Sequence, residues 1–307
     1  MNILIVGAGS TGGYFGARLM QAGRDVTFLV RPARAAALRD NGLQVLSPLG
    51  DFRVEPRLVL ADGVARPFDI VLVTVKAFGL AAAIDDFAPA VGPQTMILPV
   101  HNGMRHVDDL QARFGAERVV GGVCRVSTTL DAQGRVVHLA PLHELVYGEL
   151  DGSRSARIEA LHAFMSDAGF DAQLSTHIAQ DLWNKWMLLA TLGGICALAR
   201  GSVGEIAATD GGGEFVRAFL AEAAAVAGAA GFAPSPQAVA FVEGVLTAAN
   251  SPLTSSMYRD LVAGERVEAD QILGDLRARA RHAGVETPLV SAACIQLDVY
   301  QRRRIAR

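Results

Sequence analysis

Glycines at 7, 9 and 12 stand directly behind a four-residue apolar run, Ile3 to Val6, and open a stretch with Tyr14, Phe15, Leu19 and Met20 on one side and Arg18 and Gln21 on the other. That spacing lets a strand turn into a helix around a phosphate: Gly7 for the tight turn, Gly9 for backbone approach to a pyrophosphate, Gly12 for close helix–strand packing. The anion rests on N–H groups at the positive end of the helix dipole. Gly7, Ala8, Gly9, Ser10, Thr11 and Gly12 therefore form a candidate dinucleotide loop. A structural glycine turn is the plainer alternative in a chain with 32 glycines, and the flanking strand and helix patterns weigh against it.

Arg31 follows the second strand run, Asp25 to Val30. NAD-binding units usually place an acid there to accept from the ribose hydroxyls. A guanidinium cannot accept, but it can grip a 2′-phosphate with paired bonds, which favours NADP(H) over NAD(H). A solvent-facing arginine at a strand end is the alternative.

Further along, Lys185 lies among Trp183, Trp186, Leu188 and Leu189, an apolar setting that lowers a lysine's proton affinity, whereas a neighbouring Glu268 would raise it, so the sequence leaves the direction open. Asp181, four residues earlier, allows the plainer reading of a surface ion pair worth about 0.3–0.5 kcal/mol. Asn102 sits beside Gly103 just past a strand candidate, at the sheet edge where open α/β folds bind ligands; an ordinary Asn-Gly turn competes with that reading. Lys76 also lies just past a strand end. Ser256 falls in the first turn of a helix entered at Pro252 and Thr254, where N–H groups favour a carboxylate, and a simple cap role stays open for it. Glu268 comes twelve residues later, about 1200° of helix, so the interruption at Gly264 is needed for the two side chains to converge; a first-turn acid favoured by the dipole is its alternative.

The elements that must hold these residues read as α/β. Leu43 to Leu46 and Phe52 to Glu55 flank a Pro48–Asp51 turn as a short hairpin, Phe68 to Val75 suits a central strand, Ala77 to Phe87 a helix, and Thr95 to Val100 another strand despite Pro99. Residues 119 to 150 form strand candidates expected to extend the sheet in antiparallel fashion, followed by a helix over Arg154 to Ala168 and an edge strand over Asp171 to Leu174. From Thr176 onward only helical stretches punctuated by Gly and Pro remain. The expectation is an N-terminal Rossmann-type domain over 1–174 and an all-helical substrate domain over 175–307, with the active site in the cleft between them.

Four segments beyond the glycine loop carry a family likeness: Thr74-Val-Lys76-Ala-Phe, Val100-His-Asn102-Gly-Met, Leu182-Trp-Asn-Lys185-Trp, and Ser255-Ser256-Met257 with Glu268 beyond. In order and spacing the chain resembles the ketopantoate reductases (2-dehydropantoate 2-reductases) over nearly its whole length. The resemblance implies hydride transfer from NADPH to the keto carbon of a small 2-oxo acid, foremost ketopantoate, as in pantothenate biosynthesis. By the same likeness Lys185 is the general acid, Asn102 contacts the nicotinamide side and the substrate, Ser256 binds the substrate carboxylate, Glu268 meets substrate or cofactor hydroxyls, and Lys76 lines the cofactor cleft.

One departure stands out. Four and eight residues past Lys185, on its helical face, the family typically carries asparagines that bond substrate oxygens; here these are Leu189 and Gly193. The wall becomes apolar and, at Gly193, is expected to be roomier. A reductase of a more apolar 2-oxo acid, a dehydrogenase of a 3-hydroxy acid and a non-catalytic NADP(H) sensor are the competing readings.

Composition narrows the field. A 307-residue chain with 51% hydrophobic and 19% charged residues can bury two cores. Its net charge of −3 gives no footprint for nucleic acid, and Arg302–Arg304 reads as a solvated helix end. Cys124, Cys196 and Cys294 are widely spaced, and His138 and His143, five apart, match neither a same-face helix pair nor a same-face strand pair, so no metal is assigned. A strand at residue 3 argues against a signal peptide and for the cytoplasm, and the apolar stretch Ala218 to Phe232 contains Glu222 and reads as a packed helix, not a membrane span. The Ala- and Gly-rich helices of the second domain suit packing against a second subunit, as a homodimer.

Overall fold

A computed structural model describes residues 1–305. Contacts divide the chain into two units, residues 1–101 with 106–179, and residues 102–105 with 180–307. The second boundary falls inside the first turn of a helix, five residues beyond the expected 174/175 border, and the Asn102 loop goes with the helical unit.

The first unit is built on two sheets. The strands β1 (Asn2–Val6), β2 (Asp25–Leu29), β5 (Arg57–Val59), β6 (Ile70–Val73) and β7 (Met96–Pro99) run parallel in the order β5-β2-β1-β6-β7. β1 and β6 are near-continuous apolar runs because both of their faces are covered. Pro99 is accommodated because β7 is the outermost strand on this path, where a missing donor costs little.

The second sheet is a correction to the expected antiparallel extension. β3 (Leu43–Leu46), β4 (Phe52–Val54), β8 (Gly121–Leu130), β9 (Val136–Gly148) and β10 (Asp171–Leu174) form a separate sheet in the order β10-β9-β3-β4, with β8 antiparallel on β9. The hairpin over β3 and β4 matches its turn signal, and β10 is an edge strand as expected. β5 and the helix α4 (Arg105–Phe114) were not foreseen. Helices α1 (Ser10–Gln21), α2 (Pro32–Asn41), α3 (Leu80–Phe87), which starts as a 3-10 turn at Ala77, and α5 (Ala156–Met165) complete the unit.

α1 lies between the sheets. A Cβ on Gly16 would stand 2.5 Å from Ile5 of β1, and one on Gly13 would stand 2.9 Å from Val136 of β9. The helix that opens on the glycine loop is thus held on both faces, with Tyr14, Phe15, Ala17 and Leu19 almost wholly buried.

His138 and His143 do share a face, against the expectation from their spacing, and their rings stack at 5.7 Å. Between them the β8–β9 register breaks: Val126 pairs with His143 and Thr128 with His138, so residues 139–142, including Pro141, loop out of the ladder.

Among its described residues the second unit has helices and connecting turns and no strand: α6 (Ile178–Ala199), α7 (Val203–Ala207), α8 (Gly212–Ala229), α9 (Pro236–Leu246), α10 (Ser256–Val262), a π-helical turn (Asp270–Gly274) leading into α11 (Asp275–His282), and α12 (Pro288–Ile305). Glu222, the acid within the apolar stretch of α8, accepts from the backbone N–H groups of Leu289 and Val290 at 2.9 Å each. It thereby satisfies the first turn of α12 with a full negative charge, as the helix dipole favours. Among the described helices α6, not α8, is long and apolar enough to cross a membrane; 67% of its most apolar stretch is buried in the protein.

Candidate functional site

In the first unit the glycine loop is tied from several directions. The N–H of Gly7 donates to Leu29 at 3.0 Å, and the hydroxyl of Thr74 donates to the carbonyls of Val6 and Gly7 at 2.9 and 3.0 Å. A Cβ on Gly12 would collide with the Gly7 carbonyl and that same Thr74 hydroxyl, so the close packing foreseen for Gly12 is real.

Gly9 is different. Its φ of −78° suits any residue, and a Cβ there would meet nothing within 4 Å. Neither conformation nor protein packing calls for glycine, and a ligand that must approach the backbone does. Gly9 also caps α1 without a side-chain bond, and no acid occupies the first turn, so the leading N–H groups at Ser10, Thr11 and Gly12 face no carboxylate of their own helix. These residues fit a dinucleotide pyrophosphate.

Arg34, which sequence reasoning passed over, lies three residues beyond Arg31. Its Nε donates to the carbonyl of Ala8 at 2.9 Å and its Nη1 to that of Gly134 at 2.8 Å, joining the glycine loop to the β8–β9 turn. Burial holds its pKa below the usual arginine range. Arg31 is exposed at the position preceding Pro32 and α2, and Lys76 is exposed just beyond β6, two residues after the Thr74 clamp. The Arg-x-x-Arg spacing is the one sequence signal that could have flagged Arg34.

The remaining predicted residues all belong to the second unit. Lys185 is half-buried on α6, flanked by Trp183 and Trp186, which are 3% and 1% exposed with ring centroids 4.9 Å apart. The indole N–H of Trp186 donates to the carbonyl of Ile272 at 2.9 Å. Ile272 lies in the π-helical turn that starts two residues after Glu268; such turns widen the helix by one residue and redirect the side chains beside them. Gly103 packs on the same turn: a Cβ there would stand 2.5 Å from the carbonyl of Gln271 and 3.6 Å from Trp186 Nε1. Gly103, Trp186 and the π-helical turn thus pack on one another, next in sequence to Asn102 and Lys185 and just beyond Glu268. The Arg279 guanidinium, 5.8 and 5.6 Å from the Trp183 and Trp186 ring centres, packs on the same aromatic pair.

Ser256 is the first residue of α10, and the cap belongs to Ser255, whose hydroxyl accepts from Tyr258 N–H at 2.9 Å. The cap reading of Ser256 is therefore set aside, and its exposed hydroxyl stands beside the helix start. The break foreseen before Glu268 is present, with Gly264 at φ +77°. Ser256 meets α6 through its neighbour: a Cβ on Gly193 would stand 2.7 Å from the Met257 methyl. The extra room expected at Gly193 is filled by that methyl, since Met257 is only 2% exposed. Leu189 is half-buried.

The chain has relatives along its whole length. Over 99% of this chain and all of the relative, it is 34% identical to the uncharacterized oxidoreductase YkpB of Bacillus subtilis strain 168. The crystal structure of 2-dehydropantoate 2-reductase from Geobacter metallireducens GS-15 superposes with a TM-score of 0.88 at 31% identity, covering 97% of this chain and 99% of that one. The same fold, at 23% identity and a TM-score of 0.89 over 99% of this chain and 100% of the other, occurs in D-mandelate dehydrogenase determined with NADH and anilino(oxo)acetate. Residues 3–152 match the family model for ketopantoate reductase PanE/ApbA and residues 177–301 that for its C-terminal part. With both halves matched in order, the chain belongs to the ketopantoate reductase family, oxidoreductases of the CH–OH/C=O class.

Proposed function

We propose that this protein reduces a small 2-oxo acid to the 2-hydroxy acid with NADPH, ketopantoate being the first candidate acceptor. The observation that supports the reading is the Gly9 backbone, which no packing closes, in a chain where the neighbours of Asn102 and Lys185 pack on the π-helical turn that follows Glu268.

The nucleotide, when bound, supplies the hydride for the keto carbon. Residues of the chain do the rest. The Gly7–Gly12 loop binds the pyrophosphate through backbone N–H groups, Arg31 grips the 2′-phosphate, and Lys76 adds positive charge on the cofactor side. Lys185 delivers a proton to the developing alkoxide and is reprotonated from water, so that hydride and proton together give the alcohol. Ser256 holds the carboxylate, Asn102 orients the nicotinamide side and the keto oxygen, and Glu268 accepts from a hydroxyl of substrate or cofactor. Homodimerisation through the second unit belongs to the same reading; Ile295 and Val299, four apart on α12, are 59% and 42% exposed, and a monomeric mass by light scattering would remove that part of it.

A second reading, reduction of a more apolar 2-oxo acid, is favoured by Leu189 and by the Met257 methyl against Gly193. The test follows NADPH absorbance across a panel of 2-oxo acids, with NADH in parallel. Turnover with NADPH well above that with NADH is expected, and no oxidation of either cofactor by any 2-oxo acid defeats the proposal.

A further inference from the structure

We infer that the β8–β9 turn, residues 131–135, is a positioning element of the dinucleotide site, and that Arg34 is the latch through which it sets the Ala8–Gly9 peptide. This rests on the reading of the glycine loop as the place of the pyrophosphate.

Arg34 binds two carbonyls that lie 126 positions apart, that of Ala8 through Nε at 2.9 Å and that of Gly134 through Nη1 at 2.8 Å. The guanidinium is rigid and planar, so it holds the two oxygens in a fixed relation. A trans peptide is planar as well, with its C=O and N–H pointing in opposite directions. Gripping the Ala8 carbonyl therefore aims the N–H of Gly9, the residue at which a Cβ would meet nothing within 4 Å.

The other end of the latch is itself held. One carboxylate oxygen of Asp131 accepts from the N–H groups of Gln133 and Arg135 at 3.0 and 2.9 Å, and the other from Arg135 Nε at 2.6 Å. The N–H of Gly134 donates to the Asp131 carbonyl at 2.9 Å, and Gly134 takes a φ of +76°. Asp131 thus fixes the direction of the Gly134 carbonyl. Just past the turn, Val136 opens β9 and stands 2.9 Å from where a Cβ on Gly13 would be, a second point at which the hairpin meets the helix of the loop.

Arg34 occupies an unfavourable place for a cation. It lies in the first turn of α2, where the helix dipole disfavours positive charge, and it is partly buried there. A solvated arginine serving only the surface would meet neither cost. What the position provides is reach to the loop on one side and to the turn on the other.

Gly134→Ala tests the latch at the end remote from the loop. The added methyl would stand 2.9 Å from Arg34 Nη1 and displace it. Dissociation constants for NADPH and NADH, measured by fluorescence titration of the full chain, are both expected to rise about 3- to 10-fold, as for a weakened hydrogen bond. Introduced into the Arg34→Ala protein, the same methyl should change neither, because no guanidinium is left to displace. Asp131→Ala loosens the turn and should behave alike, raising both constants only while Arg34 is present; it serves if Gly134→Ala, strained at its positive φ, does not fold. A lower melting temperature of the nucleotide-free variants with both constants unchanged would make the turn a merely structural support and overturn the inference. Equal losses with and without Arg34, or a loss confined to NADPH, overturn it as well. In each of those cases the wild type still binds nucleotide and the loop reading stands, whereas a wild type that binds neither NADPH nor NADH overturns both.

Discussion

In the proposed function, the glycine loop and helices α6 and α10 meet their ligands by opposite means. At the loop, recognition is made by backbone, and side chains matter by their absence: Gly9 is open to a ligand, whereas Gly12 is closed by the Gly7 carbonyl and Thr74. On α6 and α10 it falls to side chains such as Lys185 and Ser256, on helices that pack through pairs such as Gly193 with Met257, far apart in sequence. A backbone site is written in spacing and tolerates little change. A side-chain site keeps its scaffold, here Trp186 on the Ile272 carbonyl, while its selectivity can be rewritten one residue at a time.

The sharpest test of that contrast lies in the acceptor half. Lys185→Ala should lower kcat by about 10²–10⁴-fold, the range for removing a general acid. NADPH affinity, measured by fluorescence titration, should stay nearly constant, because the glycine loop proposed to hold the pyrophosphate lies in the other unit. Unchanged turnover would remove the general-acid role.

Two glycine substitutions should then separate packing from ligand approach. Gly12→Ala drives a methyl into the Gly7 carbonyl and Thr74, and about 3 kcal/mol of stability is expected to be lost in urea unfolding. Gly9→Ala should leave stability within about 0.5 kcal/mol and weaken NADPH binding at least about tenfold. Equal loss of stability in both variants would contradict the distinction between them.

The arginines sharpen it further. Arg31→Ala should raise KM for NADPH by about 10- to 100-fold, the worth of a lost charge-assisted contact of about 1.5–3 kcal/mol, with KM for NADH little changed. Arg34→Ala leaves the Ala8 and Gly134 carbonyls without their donor and should weaken NADPH and NADH alike. If Arg34→Ala alone changes cofactor preference, the 2′-phosphate role belongs to Arg34.

Much of the first unit was legible because local rules suffice there. Apolar runs gave β1, β2 and β6, and the Pro48–Asp51 turn gave the β3–β4 hairpin. The second sheet was not legible as a separate layer, because whether β8 and β9 join the parallel sheet or β3 depends on where α1 is inserted. In the second unit, residue types, order and the family resemblance singled out Lys185, Asn102, Ser256 and Glu268 as candidates, but the π-helical turn on which Gly103 and Trp186 pack has no local signature. The filling of Gly193 by Met257 is a contact across 64 positions of sequence, invisible to periodicity. Arg34 escaped notice for a similar reason: its partners are backbone carbonyls, which carry no mark in the sequence.

The smallest expected effect concerns pH. His143 shares a 2.7 Å hydrogen bond with the Tyr14 hydroxyl on α1, and its ring stacks on His138. Burial pushes its pKa below the ordinary histidine value, with His138 and Arg18 acting in the same direction and Asp171 against. A histidine whose pKa is depressed on folding binds its proton more readily in the unfolded chain, so stability must fall as pH drops through the unfolded value and downward. The melting temperature of the wild-type protein should therefore decline between about pH 7 and 5, and His143→Gln should flatten that slope. Because His143 presses on the helix that carries the glycine loop, NADPH affinity should follow the same trend in the wild type and lose it in the variant. A slope unchanged by His143→Gln would assign the pH response to other groups and leave α1 indifferent to the histidine pair.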